Sequence, residues 1–233
     1  PGFISLNNRK ISDPRNYGQL TFKEIIAKSS QVGASKLALL IGVDGLTSGY
    51  KSFGLTKPSN LLFPGQAYGT VNTRPNISDH EIASLGFGYG MTASAFQMAQ
   101  AYSVFANEGY LKDFKIFKDE EEVYKQRVIS KITASKVLLA LESVVLKGTG
   151  TLAAVSGYEV AGKTGTSHKS SANGGYDKSK YISSFAGIAP LTSKRLTIFV
   201  SVEEPGLNNY SGGAVAAPLF AAISQDVLNY LDE

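Results

Sequence analysis

The sequence predicts an α+β fold in which helices pack against an antiparallel sheet. Helical patterns come first, three strand-like runs cluster late in the chain, and one apolar helix closes it. Strands that follow one another without an intervening helix pair antiparallel, whereas a parallel sheet needs crossover helices. The 233 residues, of which 43% are hydrophobic, are enough for a sizeable core. We expect a helical part over about residues 20–150 and a sheet part over about residues 151–233.

The helical part opens with the capping-box pattern Thr21-Phe-Lys-Glu24, which predicts the start of a first helix. A second helix is expected over residues 32–40, and Gly42 weakens its continuation. Residues 48–78 are rich in Gly, Pro, Asn and Thr, which predicts irregular structure. Helical spacing predicts two further helices, through Met98, Ala101, Tyr102 and Phe105, and through Val137, Ala140, Leu141 and Val144.

The sheet part contains three runs of strand character, over residues 158–166, 181–189 and 195–202. The polar, serine-rich residues 167–180 between the first two runs predict a loop. A hairpin or loop is expected within residues 1–20, and a charged strand–turn–strand is expected over residues 112–129. The closing helix is expected to bury one face through Phe220, Ile223 and Val227.

Composition excludes several classes of function. The absence of cysteine excludes disulfides, thiolate metal sites and cysteine nucleophiles, and His80 and His168 stand too far apart to suggest a metal centre. The net charge of +4 is not concentrated in a basic cluster, so no nucleic-acid partner is expected. A run of about 18 apolar residues is also lacking, so no membrane-spanning segment is predicted within these residues.

Residues 157–164 match the phosphate-loop pattern G-x-x-x-x-G-K-T. Such a loop needs a buried strand before it and a helix that starts at its Lys-Thr pair. Here the residues before Lys163 alternate as in a strand, and the serine-rich stretch after Gly165 is a poor helix former. We therefore do not expect a nucleotide as partner.

The same residues fit the edge of a strand that faces a substrate. Gly165 leaves room for a peptide backbone, and Lys163 supplies positive charge for a carboxylate. The hydroxyls of Thr164 and Thr166 add hydrogen-bond donors, and an extended peptide could pair with the edge as an added strand. A lone Lys-Thr-Gly is a weak signal, because an ordinary strand with a surface lysine gives the same pattern.

Three further segments accompany Lys163-Thr-Gly-Thr166, and they are Ser29-Ser-Gln31, Phe87-Gly-Tyr-Gly90 and Tyr210-Ser-Gly-Gly213. In order and spacing the four segments resemble the motifs of penicillin-binding transpeptidases, with Ser29-Ser-Gln31 in the place of the family's Ser-x-Asn. The Phe-Gly-Tyr-Gly form resembles the septal branch of the class B enzymes. The resemblance covers nearly the whole chain.

The resemblance implies a penicillin-binding protein or serine β-lactamase-like transpeptidase fold, with residues 1–233 as the C-terminal portion of a single transpeptidase domain. In that family a serine attacks the penultimate D-alanine carbonyl of a peptidoglycan stem peptide and releases the last D-alanine. The amine of a second stem peptide then takes the acyl group, and β-lactam antibiotics acylate the same serine. This chemistry needs no cofactor.

The resemblance also implies a location, partners and site residues. The family works on the periplasmic side of the bacterial inner membrane, anchored by an N-terminal segment, beside division-machinery membrane proteins. Ser29 would shuttle a proton between the general base and the reacting amine, and Lys163 would hold that network electrostatically. The backbone N–H of Thr166 would be one oxyanion donor. The substrate-binding residues implied by the motifs are Thr164, Gly165, Thr166, Gly212 and Gly213.

Two departures from the family pattern stand out. The nucleophile motif Ser-x-x-Lys should precede Ser29 and is not found there, so we expect it to lie in sequence before Pro1. The match Ser48-Gly-Tyr-Lys51 follows the second motif and is interpreted as chance. Gln31 replaces the usual Asn, and its extra methylene moves the amide outward by about 1.5 Å.

Two alternatives remain open at this point. A β-lactamase or a D,D-carboxypeptidase would use the same chemistry, but the run from Leu85 to Gly90 resembles the class B signature. A non-catalytic module that binds peptidoglycan or division proteins is supported by the missing nucleophile and by Gln31.

Overall fold

The computed structural model describes residues 2–59, 64–71, 73–117, 124–171, 174–192, 194–206 and 208–232. The helices are α1 (Phe22–Lys28), α2 (Gln31–Ser52), α3 (Asp79–Leu85), α4 (Ala95–Ala106), α5 (Lys131–Lys147) and α6 (Gly212–Asp232), with a 3₁₀ turn at Thr151–Ala153. The strands are β1 (Phe3–Leu6), β2 (Arg9–Ser12), β3 (Tyr110–Lys112), β4 (Lys125–Arg127), β5 (Ala161–Ser170), β6 (Tyr176–Ala189) and β7 (Leu196–Glu203). The expected α+β class is confirmed.

The main sheet is antiparallel, with the strand order β5-β6-β7. The predicted loop over residues 167–180 is wrong, because β5 continues to Ser170 and β6 begins at Tyr176, with a shift of register between His168 and Lys169. None of the described residues at this end of the hairpin is fully buried, so the stretch lacks the apolar alternation from which strands are recognised. Two smaller hairpins form. Of the hairpin or loop expected within residues 1–20, the structure shows the hairpin β1-β2. In the hairpin β3-β4 the first strand begins two residues before the predicted range 112–129, and residues 118–123 lie outside the described part.

Helices cover both faces of the sheet. On one face Phe185 of β6 packs against Phe220 of α6, with 4.9 Å between the ring centroids. On the other face Ile188 of β6 and Ala161 of β5 pack against Leu141 of α5. The sheet is therefore the middle layer of three, and β5 forms one of its edges.

The buried face of α6 differs from the predicted one. Phe220 is buried as expected, but Ile223 and Val227 are 43% and 36% exposed. Ser224 and Leu228 are buried in their place, because the face toward the sheet follows a spacing of four residues from Phe220. The small Ser224 side chain allows close packing that a rule based on hydrophobicity misses. Among the described helices, α6 is also the one long and apolar enough to cross a membrane, with a mean hydropathy of 1.2, whereas the sequence predicted none.

Capping residues mark where helices of the helical part begin. The Thr21 capping box forms, since Glu24 N–H donates to Thr21 Oγ1 and Thr21 N–H donates to the Glu24 carboxylate. Helix α2 extends beyond the predicted end, across a kink at Gly42 where φ is 75°. Helix α3 begins directly after the region predicted as irregular, and Ser78 and Glu81 form its capping box.

Candidate active site

Ser29 lies in the two-residue joint between α1 and α2. It ends α1 in the left-handed conformation, with φ 54° and ψ 45°, which is uncommon for residues other than glycine. Its N–H donates to the carbonyl of Ile26, and the N–H of Ser30 donates to the carbonyl of Ile25. The end of α1 therefore holds the backbone of the second motif in a tight turn.

Asp13, which follows the N-terminal hairpin, also holds this joint through hydrogen bonds. Ser30 is the N-cap of α2, because its Oγ accepts from the N–H of Gly33 at 2.9 Å. The same Oγ donates to Asp13 Oδ2 at 2.6 Å, and Asp13 Oδ1 accepts from the N–H of Val32 at 3.2 Å. Nothing in the sequence assigns Asp13 to the site, since it precedes Pro14 and resembles an ordinary turn residue.

Lys163 of β5 reaches the joint. Its Nζ donates to Ser29 Oγ at 2.9 Å, to the carbonyl of Thr164 at 3.0 Å and to Thr164 Oγ1 at 3.3 Å. Burial of the ammonium among protein atoms lowers the pKa of Lys163 to about 8. At neutral pH most molecules still carry the charge, but the proton is held less firmly than on a surface lysine.

The two threonine hydroxyls of the motif have different partners. Thr166 Oγ1 accepts from the N–H of Gly212 at 2.9 Å, so its own proton is free to bond another acceptor. Thr164 Oγ1 lies 2.8 Å from Thr149 Oγ1 and also accepts from Lys163. The two hydroxyls and the lysine form one polar row on β5.

Close backbone contacts explain the glycines of the fourth motif. A Cβ on Gly212 would lie 2.2 Å from the carbonyl oxygen of Gly165, and one on Gly213 would lie 2.3 Å from that of Thr149. Neither carbonyl can move without disturbing β5 or the turn before it. A Cβ on Gly165 would lie 2.4 Å from the Oγ of Ser184 on β6. These glycines allow the start of α6 to approach β5 directly.

The structure excludes the phosphate-loop interpretation, because Lys163 and Thr164 lie within β5 rather than at the start of a helix. Since β5 is an edge of its sheet, its outer side is unpaired among the described strands. That arrangement is the one needed for a peptide to add as a further strand.

Aromatic contacts join the other two motif segments to the hairpin β5-β6. Tyr210 stacks on Tyr181 with ring centroids 4.0 Å apart, and Tyr89 meets Tyr176 edge-on at 4.9 Å. The Tyr176 hydroxyl also accepts from the N–H of Gly90 at 3.3 Å. Sequence reasoning found Tyr89 and Tyr210 through their motifs but missed Tyr176 and Tyr181, which belong to the stretch interpreted as a loop and to the next strand.

Gln31 is the first residue of α2, and its side chain is exposed. Ser48 and Lys51 lie on the far half of α2, where they line an open cavity of about 480 Å³ with Asp44 and Arg74. These residues follow the kink of α2 at Gly42, whereas the joint that holds Ser29 precedes the first residue of α2. Within the described ranges, no group of three His, Cys, Asp or Glu side chains could hold a metal ion.

The fold and this site together define a class of protein. The family described as the penicillin-binding protein transpeptidase domain matches residues 4–225. The chain therefore belongs to the transpeptidase domains of the class B penicillin-binding proteins.

Named relatives show which members of this family the chain is similar to. The peptidoglycan D,D-transpeptidase FtsI of Escherichia coli K12 is 37% identical over 228 residues, which is 97% of this chain and 39% of that protein. The probable peptidoglycan D,D-transpeptidase PbpC of Pseudomonas aeruginosa is 34% identical over 99% of this chain and 41% of its own length. The chain thus spans about two fifths of the length of each of these two relatives.

Solved structures agree with this assignment. The transpeptidase domain of Burkholderia pseudomallei penicillin-binding protein 3 superposes with a TM-score of 0.90 at 39% identity, covering 99% of this chain and 70% of that one. Penicillin-binding protein 3 of Mycobacterium tuberculosis, complexed with aztreonam, gives a TM-score of 0.89 at 30% identity, covering 100% of this chain and 56% of that one. The expected transpeptidase fold is confirmed.

Proposed function

We propose that this chain is the C-terminal part of a peptidoglycan D,D-transpeptidase that cross-links stem peptides during septal wall synthesis. The main support is the 2.9 Å hydrogen bond between Lys163 Nζ and Ser29 Oγ, which joins residues 134 positions apart. Two motifs that the sequence linked only by resemblance thus share one polar site. Relatives named peptidoglycan D,D-transpeptidase add to that support.

The reaction begins at a serine of a Ser-x-x-Lys motif, which we assign to sequence outside residues 1–233. Its Oγ attacks the penultimate D-alanine carbonyl, and the terminal D-alanine leaves as the amine when it gains a proton. Ser29 can pass that proton, because its Oγ accepts from Lys163 and keeps its own O–H for a second partner. The amine of a neighbouring stem peptide then attacks the ester and loses a proton along the same route. Gln31 lies beside Ser29 and takes the place of the family's amide.

The row on β5 binds the substrate carboxylate in this proposal. Lys163 supplies the positive charge, and the Thr164 and Thr166 hydroxyls donate hydrogen bonds. The N–H of Thr166 stabilises the developing oxyanion. Gly165 allows the D-Ala-D-Ala backbone to approach the edge, and Gly212 with Gly213 bounds the site from the start of α6. β-Lactam antibiotics are proposed to bind the same groups, and penicillin-binding protein 3 of M. tuberculosis has been solved in complex with aztreonam and with ampicillin.

The substrate determines where such an enzyme works. Peptidoglycan is cross-linked on the periplasmic side of the inner membrane, so we propose that this protein acts there, held by an N-terminal anchor. Division-machinery membrane proteins are its proposed partners, in keeping with relatives that bear the name FtsI. No cofactor, nucleotide or nucleic acid enters the proposal.

The test is to map the adduct of a labelled penicillin on the full-length protein that contains this chain. We expect one adduct per molecule, on a Ser-x-x-Lys serine outside residues 1–233. An adduct on Ser48 would show that the first motif has been misplaced. The isolated residues 1–233 serve as the control, and intact mass spectrometry should find them unmodified, because losing such a nucleophile typically removes about 10⁶ in rate.

The second candidate is a non-catalytic module that binds peptidoglycan or division proteins. The exposed Gln31 at the start of α2 favours it, because the family's shorter Asn holds the lysine base and the substrate amide. A full-length protein that binds stem peptides but is never acylated would support this candidate over the enzyme.

A further inference from the structure

The turn between α5 and the 3₁₀ turn, Gly148-Thr149-Gly150, touches three elements next to the site, which are α1, α6 and β5. The N–H of Thr149 donates to the carbonyl of Ala27 in α1 at 3.3 Å. A Cβ on Gly148 would lie 2.3 Å from that same carbonyl oxygen. On its other side the Thr149 carbonyl contacts Gly213 of α6 closely enough to exclude a side chain there. The Gly-Thr-Gly turn is therefore a backbone joint between α1 and α6.

The side chain of Thr149 contacts β5, in addition to the backbone contacts of the turn with α1 and α6. Its Oγ1 lies 2.8 Å from Thr164 Oγ1, and either hydroxyl can be the donor. Lys163 can only donate, and it reaches Thr164 Oγ1 at 3.3 Å. When Thr149 donates as well, both acceptor positions of Thr164 Oγ1 are filled by protein groups. The one proton of Thr164 then remains for a ligand.

We infer that Thr149 is a positioning residue for the carboxylate site, because its hydroxyl fixes the Thr164 hydroxyl as a donor toward the substrate. This inference rests on the proposed function. Thr149 acts through Thr164 and makes no contact with the reacting atoms. Its side chain is exposed, so its removal should alter ligand binding far more than the stability of the fold.

The experiment measures acylation of the full-length protein by a carboxylate-bearing β-lactam, resolved into the dissociation constant of the initial complex and the rate of acylation. For Thr149→Val we expect the dissociation constant to rise about threefold to tenfold, the usual effect of one lost hydrogen bond. Thr149→Ser keeps the hydroxyl and should stay within about twofold of the wild type. Thr47→Val is the matched control, because the Thr47 hydroxyl bonds the carbonyl of Val43 within α2.

A double-mutant cycle tests whether Thr149 acts through Thr164. In a Thr164→Val background the effect of Thr149→Val should vanish, because the hydroxyl that it orients is gone. An effect that persists there, a Ser variant as weak as the Val variant, or a Val variant equal to the wild type would each overturn the inference. If the Val variant does not fold, Thr149→Ala gives the same comparison. A wild-type protein that is never acylated would instead refute the proposed function itself.

Discussion

Replacing Lys163 with Ala should weaken binding of carboxylate-bearing β-lactams and slow the acylation that follows. Lys163 is half-buried, and its ammonium makes three hydrogen bonds, to Ser29 Oγ and to two oxygens of Thr164. A charge-assisted hydrogen bond contributes about 1.5–3 kcal/mol, which corresponds to about 10- to 150-fold in the dissociation constant. The measurement is competition against a fluorescent penicillin on the full-length protein.

Lys169, six positions further along β5, provides the matched control. Its Nζ pairs with Glu203 and Glu204 at 2.9 Å each, on the solvent side of the hairpin. Exposed ion pairs contribute little, so Lys169→Ala should change binding by less than about twofold. If Lys163→Ala and Lys169→Ala weaken binding equally, the carboxylate site does not lie at Lys163.

The pH dependence of acylation gives an independent check on the same group. Because burial lowers the pKa of Lys163 to about 8, the positive charge is present below that pH and is lost as the pH rises through it. The ratio of acylation rate to dissociation constant reports groups of the free enzyme, so its alkaline side should fall with a midpoint near 8. In Lys163→Arg the charge persists, and this fall should disappear. An unchanged profile in the Arg variant would refute the reasoning.

Three further substitutions test other parts of the structure. Ser29→Ala should slow β-lactam acylation by about 10²-fold or more, the usual scale for a positioned proton-transfer group, and unchanged acylation of a folded variant would remove Ser29 from the mechanism. Gly212→Ala should destabilise the protein by about 1–3 kcal/mol in thermal unfolding, because the added Cβ would lie 2.2 Å from a carbonyl oxygen of β5. Gly206→Ala meets no atom within 4 Å and is its control; equal melting temperatures for the two variants would contradict the close approach. Phe220→Ala should cost about 3–5 kcal/mol in denaturant unfolding, and Val227→Ala much less because Val227 is 36% exposed; the reverse order would show that α6 presents the other face.

The sequence predicted the elements whose signals are local. The capping box at Thr21 and the helical spacing around Leu141 depend on residues within a few positions of one another, and both helices form. The described residues at the far end of the hairpin β5-β6 show no alternation of buried positions, so their composition suggested a loop. Which face of α6 is buried depends on how the helix packs against the sheet, and a local sequence pattern does not report that. Ser224 is therefore buried although Ile223 is not.

The residues of the site likewise fall into those that the sequence could identify and those that it could not. Motif residues such as Ser29 and Lys163 were identifiable because their types and order resemble a family pattern. Asp13 and Thr149 carry no such signal, since each acts through a contact that only the folded chain creates. A turn aspartate and a loop threonine cannot be distinguished from their many ordinary counterparts until their partners are known.

The start of α6, the edge strand β5 and the Gly-Thr-Gly turn meet backbone to backbone, with no side chain between Gly212 and Gly165 or between Gly213 and Thr149. Contacts of this kind leave no compressible layer, so these three segments should move as one rigid piece. The carboxylate pocket then has little capacity to reshape itself around different ligands. Adaptation to ligands of different bulk must then come from groups outside these three segments.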